Sequence, residues 1–228
     1  MSLYQRLLNE TNEEREYLLS SPIIKRCFQG DIVTSDYVAF LTQAYHHVKH
    51  TLPLLMSVGA RLGEEKEWLR EAVAEYIEEE LGHQEWVLND ISACGVDKEN
   101  IRQGQPSFAT ELMVSYAYDL VNRINPLGFF GMVNVLEGTS VVMADKAAQK
   151  IQHTLGLPEK AFSYLRSHGS LDIEHVKFFE DLMNKITCPH EQGLIVSSAK
   201  KFFTLYGNIF RTLDVSPAKS SSAVSTAL

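Results

Sequence analysis

The segment HGSLDIEH, residues 168–175, carries two imidazoles and a carboxylate at helical spacing. His168, Asp172 and His175 are spaced four and then three residues apart, so on an α-helix they lie one turn above another on the same side. Imidazole together with carboxylate is the ligand set of iron, manganese or zinc, whereas magnesium and calcium favour oxygen ligands alone. The segment therefore predicts one side of a transition-metal site.

Two further segments could supply the other side. Glu80 and His83 form an E-x-x-H pair in EEELGHQEW, and Glu137 lies in the apolar stretch GMVNVLEGTSVVM. A carboxylate in a buried segment costs several kcal/mol unless it is neutralised or paired with a cation. Helix bundles build di-iron sites from inward-facing Glu residues and E-x-x-H pairs. Together the three segments offer six candidate ligands, enough for two metal ions with open positions.

Each of these features also has a purely structural explanation. Glu80 belongs to the acidic run EYIEEE, which is typical of a solvated helix face. Asp172 could cap the start of a helix, with the neighbouring histidines in solvent. Glu137 could instead pair with a buried Lys or Arg. His46, His47 and His50 form a second cluster, which could bind a metal, face a pocket or pack as ordinary histidines.

The elements that must position these residues are helices. Helical periodicity dominates the chain and no convincing strand pattern is present, which predicts an all-α, single-domain bundle of seven or more helices over residues 1–214. The Ser/Ala-rich tail, residues 215–228, is expected to be disordered. Long helices are predicted over 37–62, with a kink at Pro53, and over 65–93. Others are predicted from 106 to about 125, over 126–156 and from 189 onward. Two shorter helices, over 157–170 and 172–186, are predicted to join through Gly169.

Composition excludes several classes of function. The chain has 228 residues and a net charge of −8, with 21 Lys and Arg against 29 Asp and Glu. A surface that follows phosphates needs clustered basic residues, so a nucleic-acid partner is not expected. No run of 18 apolar residues is present, so no membrane partner or span is expected. Three scattered cysteines give no disulfide framework and no CxxC metal site, which favours the reducing cytoplasm.

The order of these motifs resembles the heme-oxygenase-like diiron oxidases and oxygenases, a family that includes the Chlamydia protein associating with death domains. The likeness extends over roughly residues 5–212 and is most specific in HGSLDIEH and in the distances from His83 to Glu137 and to that segment. It belongs to the wider fold shared with thiaminase II and pyrroloquinoline quinone synthase. The resemblance implies a heme-oxygenase-like bundle, two iron ions (or manganese), dioxygen as co-substrate, a small organic substrate and a homodimer.

The ligands that the resemblance implies are His83, Glu137, His168, Asp172 and His175. Many members also have a Glu seven residues before the first ligand His. Here that position is Tyr76, and Glu80 is expected to take over as the sixth ligand. Three tyrosines, which are Tyr45, Tyr76 and Tyr164, are candidates for electron or proton transfer.

Other activities on the same fold remain as alternatives. Thiaminase II uses a cysteine nucleophile in the middle of the chain, and this sequence has no cysteine between Cys94 and Cys188. Pyrroloquinoline quinone synthase is a metal-free oxidase with an Arg-rich pocket, and heme oxygenase relies on one histidine near the position of the 46–50 cluster. The leading expectation is a non-heme diiron oxidoreductase. The alternatives are a metal-free oxidase and a thiaminase-like ligand-binding protein without enzymatic activity.

Overall fold

The computed structural model describes residues 1–170 and 172–213, without the side chains of residues 168–175. All regular secondary structure in this part of the chain is helical, which confirms the predicted all-α bundle. The predicted tail, residues 215–228, lies outside the described residues. The α-helices are α1 (Leu3–Glu10), α2 (Asn12–Leu19), α3 (Pro22–Gln29), α4 (Thr34–Val48), α5 (Thr51–Arg61), α6 (Glu67–Glu79), α7 (His83–Ala93), α8 (Lys98–Gln103), α9 (Phe108–Asp119), α10 (Phe129–Leu155), α11 (Ser163–Ser170), α12 (Asp172–Asn184) and α13 (Pro189–Thr212).

Helices α10 and α13 form the centre of the bundle and approach each other closely. A Cβ atom at Gly131 would lie 2.6 Å from the backbone nitrogen of Ala199 and 2.8 Å from the carbonyl oxygen of Ile195. The buried Ser198 hydroxyl donates a hydrogen bond of 2.7 Å to the carbonyl of Gly128. Glycine at position 131 therefore lets the two backbones pack at a distance that any side chain would prevent.

Around this centre the shorter helices pack in pairs. Helix α10 also contacts α3, α11 and α12, while α13 contacts α2 and α9. Helix α4 packs against α7, and α5 packs against α6. The interior faces are mainly leucine, isoleucine, valine and aromatic residues, and they form a large hydrophobic core. Because α11 and α12 both contact α10, the bundle brings the segment around residue 170 beside the helix that carries Glu137.

Two of the predicted long helices are each divided in two. The predicted helix over 37–62 is interrupted after Val48, where His50 N donates to the carbonyl of His47 in a turn. Pro53 lies in the first turn of the following helix, where its missing N–H costs little, so the predicted kink at Pro53 is wrong. The predicted helix over 65–93 ends at Glu79 and restarts at His83. Gly82 stands at this break with φ +89°, in the left-handed region that favours glycine.

One helical segment, Pro126–Leu155, is long and apolar enough to cross a membrane by length and composition. Over half (56%) of its most apolar window is buried inside the bundle. An interior helix is apolar on most of its surface because neighbouring helices cover it. The apolar character of this segment is therefore explained by its place at the centre of the core.

Candidate metal centre

An interior cavity lies where α4, α5, α6, α10, α11 and α13 meet. Two predicted ligands, Glu80 and Glu137, line it from different helical segments. The remaining wall includes polar groups from His47, Tyr76 and Tyr164. Its volume is about 60 Å³, and a single water needs roughly 10–15 Å³ by a comparable measure. The cavity therefore has room for metal ions with small ligands and lacks room for a large organic molecule.

Glu80 and His83 are in direct contact, as the E-x-x-H spacing predicted. The distance from His83 Nδ1 to Glu80 Oε2 is 3.0 Å, and the His83 side chain is 5% exposed. The predicted reason, two residues on one face of a continuous helix, is wrong. Glu80 is the residue that follows α6, His83 is the first residue of α7, and the turn through Gly82 joins them.

The imidazole of His83 is also held from its own helix. Its ring centroid lies 4.2 Å from that of Trp86, with the ring planes tilted by 34°. This contact and the Glu80 carboxylate together restrict the orientation of the imidazole. A ligand whose orientation is fixed before binding loses less side-chain entropy when it takes a metal.

Glu137 lies in the first third of α10, after a stretch of buried residues. Residues 131–135 are buried, Glu137 itself is partly exposed, and Gly138 is exposed. The expectation of a buried segment around Glu137 therefore holds only on its N-terminal side. Glu137 lines this interior cavity and also a separate cavity beside α12 that includes Val176 and Phe179. The Glu137 side chain therefore borders both the interior cavity and the space beside α12.

The side chains of His168, Asp172 and His175 lie outside the described residues, so their ligand roles stay predictions. Their helices, α11 and α12, both pack against α10, which carries Glu137. Within the part of the chain that the structure describes, no three His, Cys, Asp or Glu side chains converge as a metal site. The described donors are the pair Glu80–His83 and the carboxylate of Glu137, which amount to half of the predicted six.

Two of the three candidate tyrosines reach the cavity. Tyr76 is 4% exposed, and its hydroxyl has no hydrogen-bond partner within the part of the chain that the structure describes. Burial raises the pKa of Tyr76, and the negative charge of Glu137 is the next largest cause. Burial likewise raises the pKa of Tyr164, with contributions from Tyr206 and Glu80. Both phenols are therefore protonated near neutral pH and can donate hydrogen bonds into the cavity.

The third candidate, Tyr45, is placed differently. It is buried in α4 but is not among the residues that line the cavity. Its ring meets that of His46 edge-on at 5.2 Å, and Lys49 Nζ lies 5.3 Å from the ring centroid. These contacts describe a packing residue, and they place Tyr45 apart from the two tyrosines at the cavity.

The three histidines of α4 and the following turn have separate environments. His47 lines the cavity, with its ring edge-on to Tyr206 at 5.7 Å. His46 Nδ1 lies 3.3 Å from Lys49 Nζ, and burial, followed by the charges of Lys49 and His50, lowers the pKa of His46 to about 4. His50 Nδ1 lies 3.1 Å from the hydroxyl of Tyr118. The sequence identified the cluster, but only the packing of α4 selects His47 as the member at the cavity.

Asp90 joins two of the helices that carry predicted ligands, and the sequence analysis did not identify it. It is fully buried in α7 and accepts hydrogen bonds from the first two backbone N–H groups of α11. Oδ1 accepts from Ser163 N at 3.0 Å and from the Ser163 hydroxyl, and Oδ2 accepts from Tyr164 N at 2.9 Å. The helix with His83 is thereby fixed to the start of the helix with His168. No motif signals this role, because the capping residue lies 73 positions before the helix that it caps.

Solved structures show the same fold at low sequence identity. A domain of unknown function with a heme oxygenase-like fold from Shewanella denitrificans OS217 matches with a TM-score of 0.84 and 22% identity, over 92% of this chain and 91% of that chain. A TenA homologue from Pseudomonas syringae pv. tomato matches with a TM-score of 0.77 and 12% identity, over 92% of both chains. A heme oxygenase from Leptospira interrogans matches with a TM-score of 0.75 and 22% identity, over 93% and 100%. These similarities establish the heme oxygenase-like fold that the motifs implied.

A search of curated proteins finds no significant match. A family model described as iron-containing redox enzyme matches residues 38–207. This range includes the described cavity donors and the HGSLDIEH segment. The carboxylates of Glu80 and Glu137 at the cavity, with the imidazole of His83 against Glu80, suit iron. The buried hydroxyl of Tyr76 beside them has no hydrogen-bond partner among the described residues, so it is available to a bound group. The match covers about three quarters of the sequence, and the chain belongs to the family of iron-containing redox enzymes.

Proposed function

We propose that the protein is an oxidase or oxygenase that uses iron and dioxygen to oxidise a small organic substrate at a dinuclear metal centre. The observation that carries this proposal is the meeting of Glu80 and Glu137, from different helical segments, at one interior cavity, with His83 Nδ1 3.0 Å from the Glu80 carboxylate. Two carboxylates facing one small buried space repel each other unless a cation lies between them. A pair of iron ions meets this requirement.

The residues that would hold the metals are the described trio of Glu80, His83 and Glu137 and the predicted trio of His168, Asp172 and His175. When bound, iron supplies the site for dioxygen and the electrons that reduce it. Asp90 would set the relation between the two trios, because it joins the helices that carry His83 and His168.

The rest of the cavity serves to exclude water and to supply protons. Met132, Val133 and Leu136 form an apolar wall on α10, which limits the access of bulk water. The protonated hydroxyls of Tyr76 and Tyr164 face the same space. These phenols can donate hydrogen bonds to an anion that forms there, and they can pass protons toward it.

Total metal analysis of protein purified without chelator or nickel column tests this proposal. We expect about two iron or manganese ions per chain, and we expect Glu137→Gln to reduce the content to one or fewer because the neutral amide is a poor ligand. Glu111→Gln removes an exposed carboxylate on α9, and this control should retain the wild-type content.

The possible results separate the candidate functions. If every preparation of the protein lacks both iron and manganese, the proposal is contradicted. That result would favour a metal-free oxidase or a ligand-binding protein. A Glu137→Gln variant with the full metal content would remove Glu137 from the ligand set.

A further inference from the structure

An apolar cavity adjoins the interior cavity that Glu80 and Glu137 line, and we call the latter the metal cavity. The apolar cavity lies between α3, α4, α10, α11 and α13, and its walls include Ile24, Phe40, Met143, Ala144 and Ile151. We call it the apolar chamber. Its volume is about 110 Å³, almost twice that of the metal cavity. The apolar chamber is therefore the larger of the two spaces and has room for an organic molecule.

Three side chains form the boundary between the two cavities. Ser140, Tyr164 and Tyr206 line both the apolar chamber and the metal cavity. The Ser140 hydroxyl already donates to the carbonyl of Leu136 at 2.9 Å. A molecule in the apolar chamber would therefore contact the same three side chains that line the metal cavity from the other side.

Two buried polar groups of the apolar chamber, Asp36 and Tyr37, already have partners within the protein. Asp36 accepts from Arg26 Nη2 at 2.8 Å and from the backbone N–H of Val33 at 3.0 Å. The Tyr37 hydroxyl donates to the carbonyl of Ala161 at 2.8 Å. Neither group therefore has to find its main partner in a ligand.

The described walls of the apolar chamber offer no cation to an anionic ligand, and the carboxylate among them, Asp36, is already paired with Arg26. Burial raises the pKa of the Cys27 thiol to about 11, so it is uncharged near neutral pH. Among the described residues that line the chamber, none is a lysine, arginine or histidine. Transfer of an ionised group into such a space is strongly unfavourable without a partner. The chamber therefore selects against carboxylate and phosphate groups, and Asp36 already has its cation.

One wall of the apolar chamber is a continuous row of aromatic rings. Tyr37 and Phe40 stack at 6.3 Å with an interplanar angle of 18°, and Phe40 lies 5.7 Å from Phe210. Phe210 meets Tyr206 edge-on at 5.0 Å. Aromatic rings interact favourably in offset and edge-on arrangements. The wall therefore favours a ring-shaped ligand over a flexible chain.

From this geometry we infer that the apolar chamber binds an uncharged aromatic molecule of about the size of benzene or toluene. An apolar cavity of roughly 150 Å³ in another protein binds benzene, which is the same order of volume. The ligand class follows from the walls alone. The role of this ligand as the substrate rests on the proposed function, because the shared boundary would place the ring beside the metals.

A series of ligands with matched size tests the inference. Toluene, benzoate and benzylamine are titrated into metal-free protein by calorimetry, and the thermal unfolding midpoint Tm is measured in parallel. We expect saturable binding of toluene and a rise in Tm of about 3–5 °C at ten times the dissociation constant. Benzoate and benzylamine should bind at least tenfold more weakly, because the chamber offers them no counterion.

Variants locate the binding in the apolar chamber. Ala144→Phe places a ring inside it and should reduce toluene affinity at least tenfold, while Gln149→Phe adds the same ring at an exposed position of α10 and should leave the affinity unchanged. If Ala144→Phe does not fold, the smaller change Ala147→Leu narrows the same chamber from the same helix.

The results separate this inference from the proposed function. Absence of toluene binding, tighter binding of benzoate or benzylamine, or unchanged toluene affinity in a folded chamber variant would each overturn the inference. Because these titrations use metal-free protein, they do not depend on the iron content. If the protein binds toluene but never holds iron, the inference about the apolar chamber is supported and the proposed function is contradicted.

Discussion

Replacement of Asp90 by alanine should weaken both the fold and the link between the two ligand-bearing helices. Asp90→Ala removes the acceptor for two backbone N–H groups and one hydroxyl at the start of α11. A hydrogen bond to a charged acceptor contributes about 1.5–3 kcal/mol, and a lost N-cap typically costs about 1 kcal/mol. The simple sum for three bonds would exceed 4 kcal/mol.

The expected loss is smaller because burial opposes the charge of Asp90. Burial is the largest influence on this carboxyl and raises its pKa, although the bonds from Ser163 and Tyr164 act in the opposite direction. Removing the carboxylate therefore also removes an unfavourable desolvation, so we expect a net loss of about 2–4 kcal/mol in the free energy of unfolding. Asp90→Asn retains an acceptor oxygen and should lose about 1–2 kcal/mol.

Denaturation with urea in the presence of chelator measures these differences. The matched control is Asp97→Ala, which removes an exposed N-cap with one bond of 3.0 Å to Glu99 N, and it should cost about 1 kcal/mol or less. Amide hydrogen exchange should also accelerate in α11 of Asp90→Ala. A loss in Asp90→Ala no larger than that of Asp97→Ala, with unchanged exchange in α11, would refute the reasoning.

Two further predictions concern stability. The pKa of His46 is about 4 in the folded protein, against an ordinary value of 6.5. Between these two pH values the unfolded chain binds a proton that the folded chain does not bind. The free energy of unfolding therefore falls as the pH drops from 6.5 toward 4. His46→Gln should remove about 2–3 kcal/mol of this pH dependence between pH 7 and 4.5 in urea denaturation, whereas the exposed control His153→Gln should not. Gly131→Ala should lower the free energy of unfolding by about 2–4 kcal/mol, because its Cβ would press on the backbone nitrogen of Ala199. Gly138→Ala, on the same helix with open space around it, should instead stabilise the protein by about 0.5–1 kcal/mol in the same assay.

The sequence alone determined the helical class and the kinds of donor at the site. Helical periodicity is a local property, because residues three and four apart share a face whatever the helix packs against. The pairing of Glu80 with His83 likewise followed from their spacing, although a glycine turn rather than a helix face produces it. The resemblance to the heme-oxygenase-like diiron oxidases depended on such motifs and on their distances along the chain, and the family match confirms an iron-containing redox enzyme.

Several features were decided only by the tertiary structure. Three neighbouring histidines differ in environment because the packing of α4 directs His47 to the cavity and leaves His46 beside Lys49. Asp90 could not be identified from local pattern, because it caps a helix that begins 73 residues later. The apolar chamber is also a product of packing, since its walls come from five helices. The types of side chain and their spacing are encoded locally, but their convergence depends on how separate helices bury their apolar faces against one another.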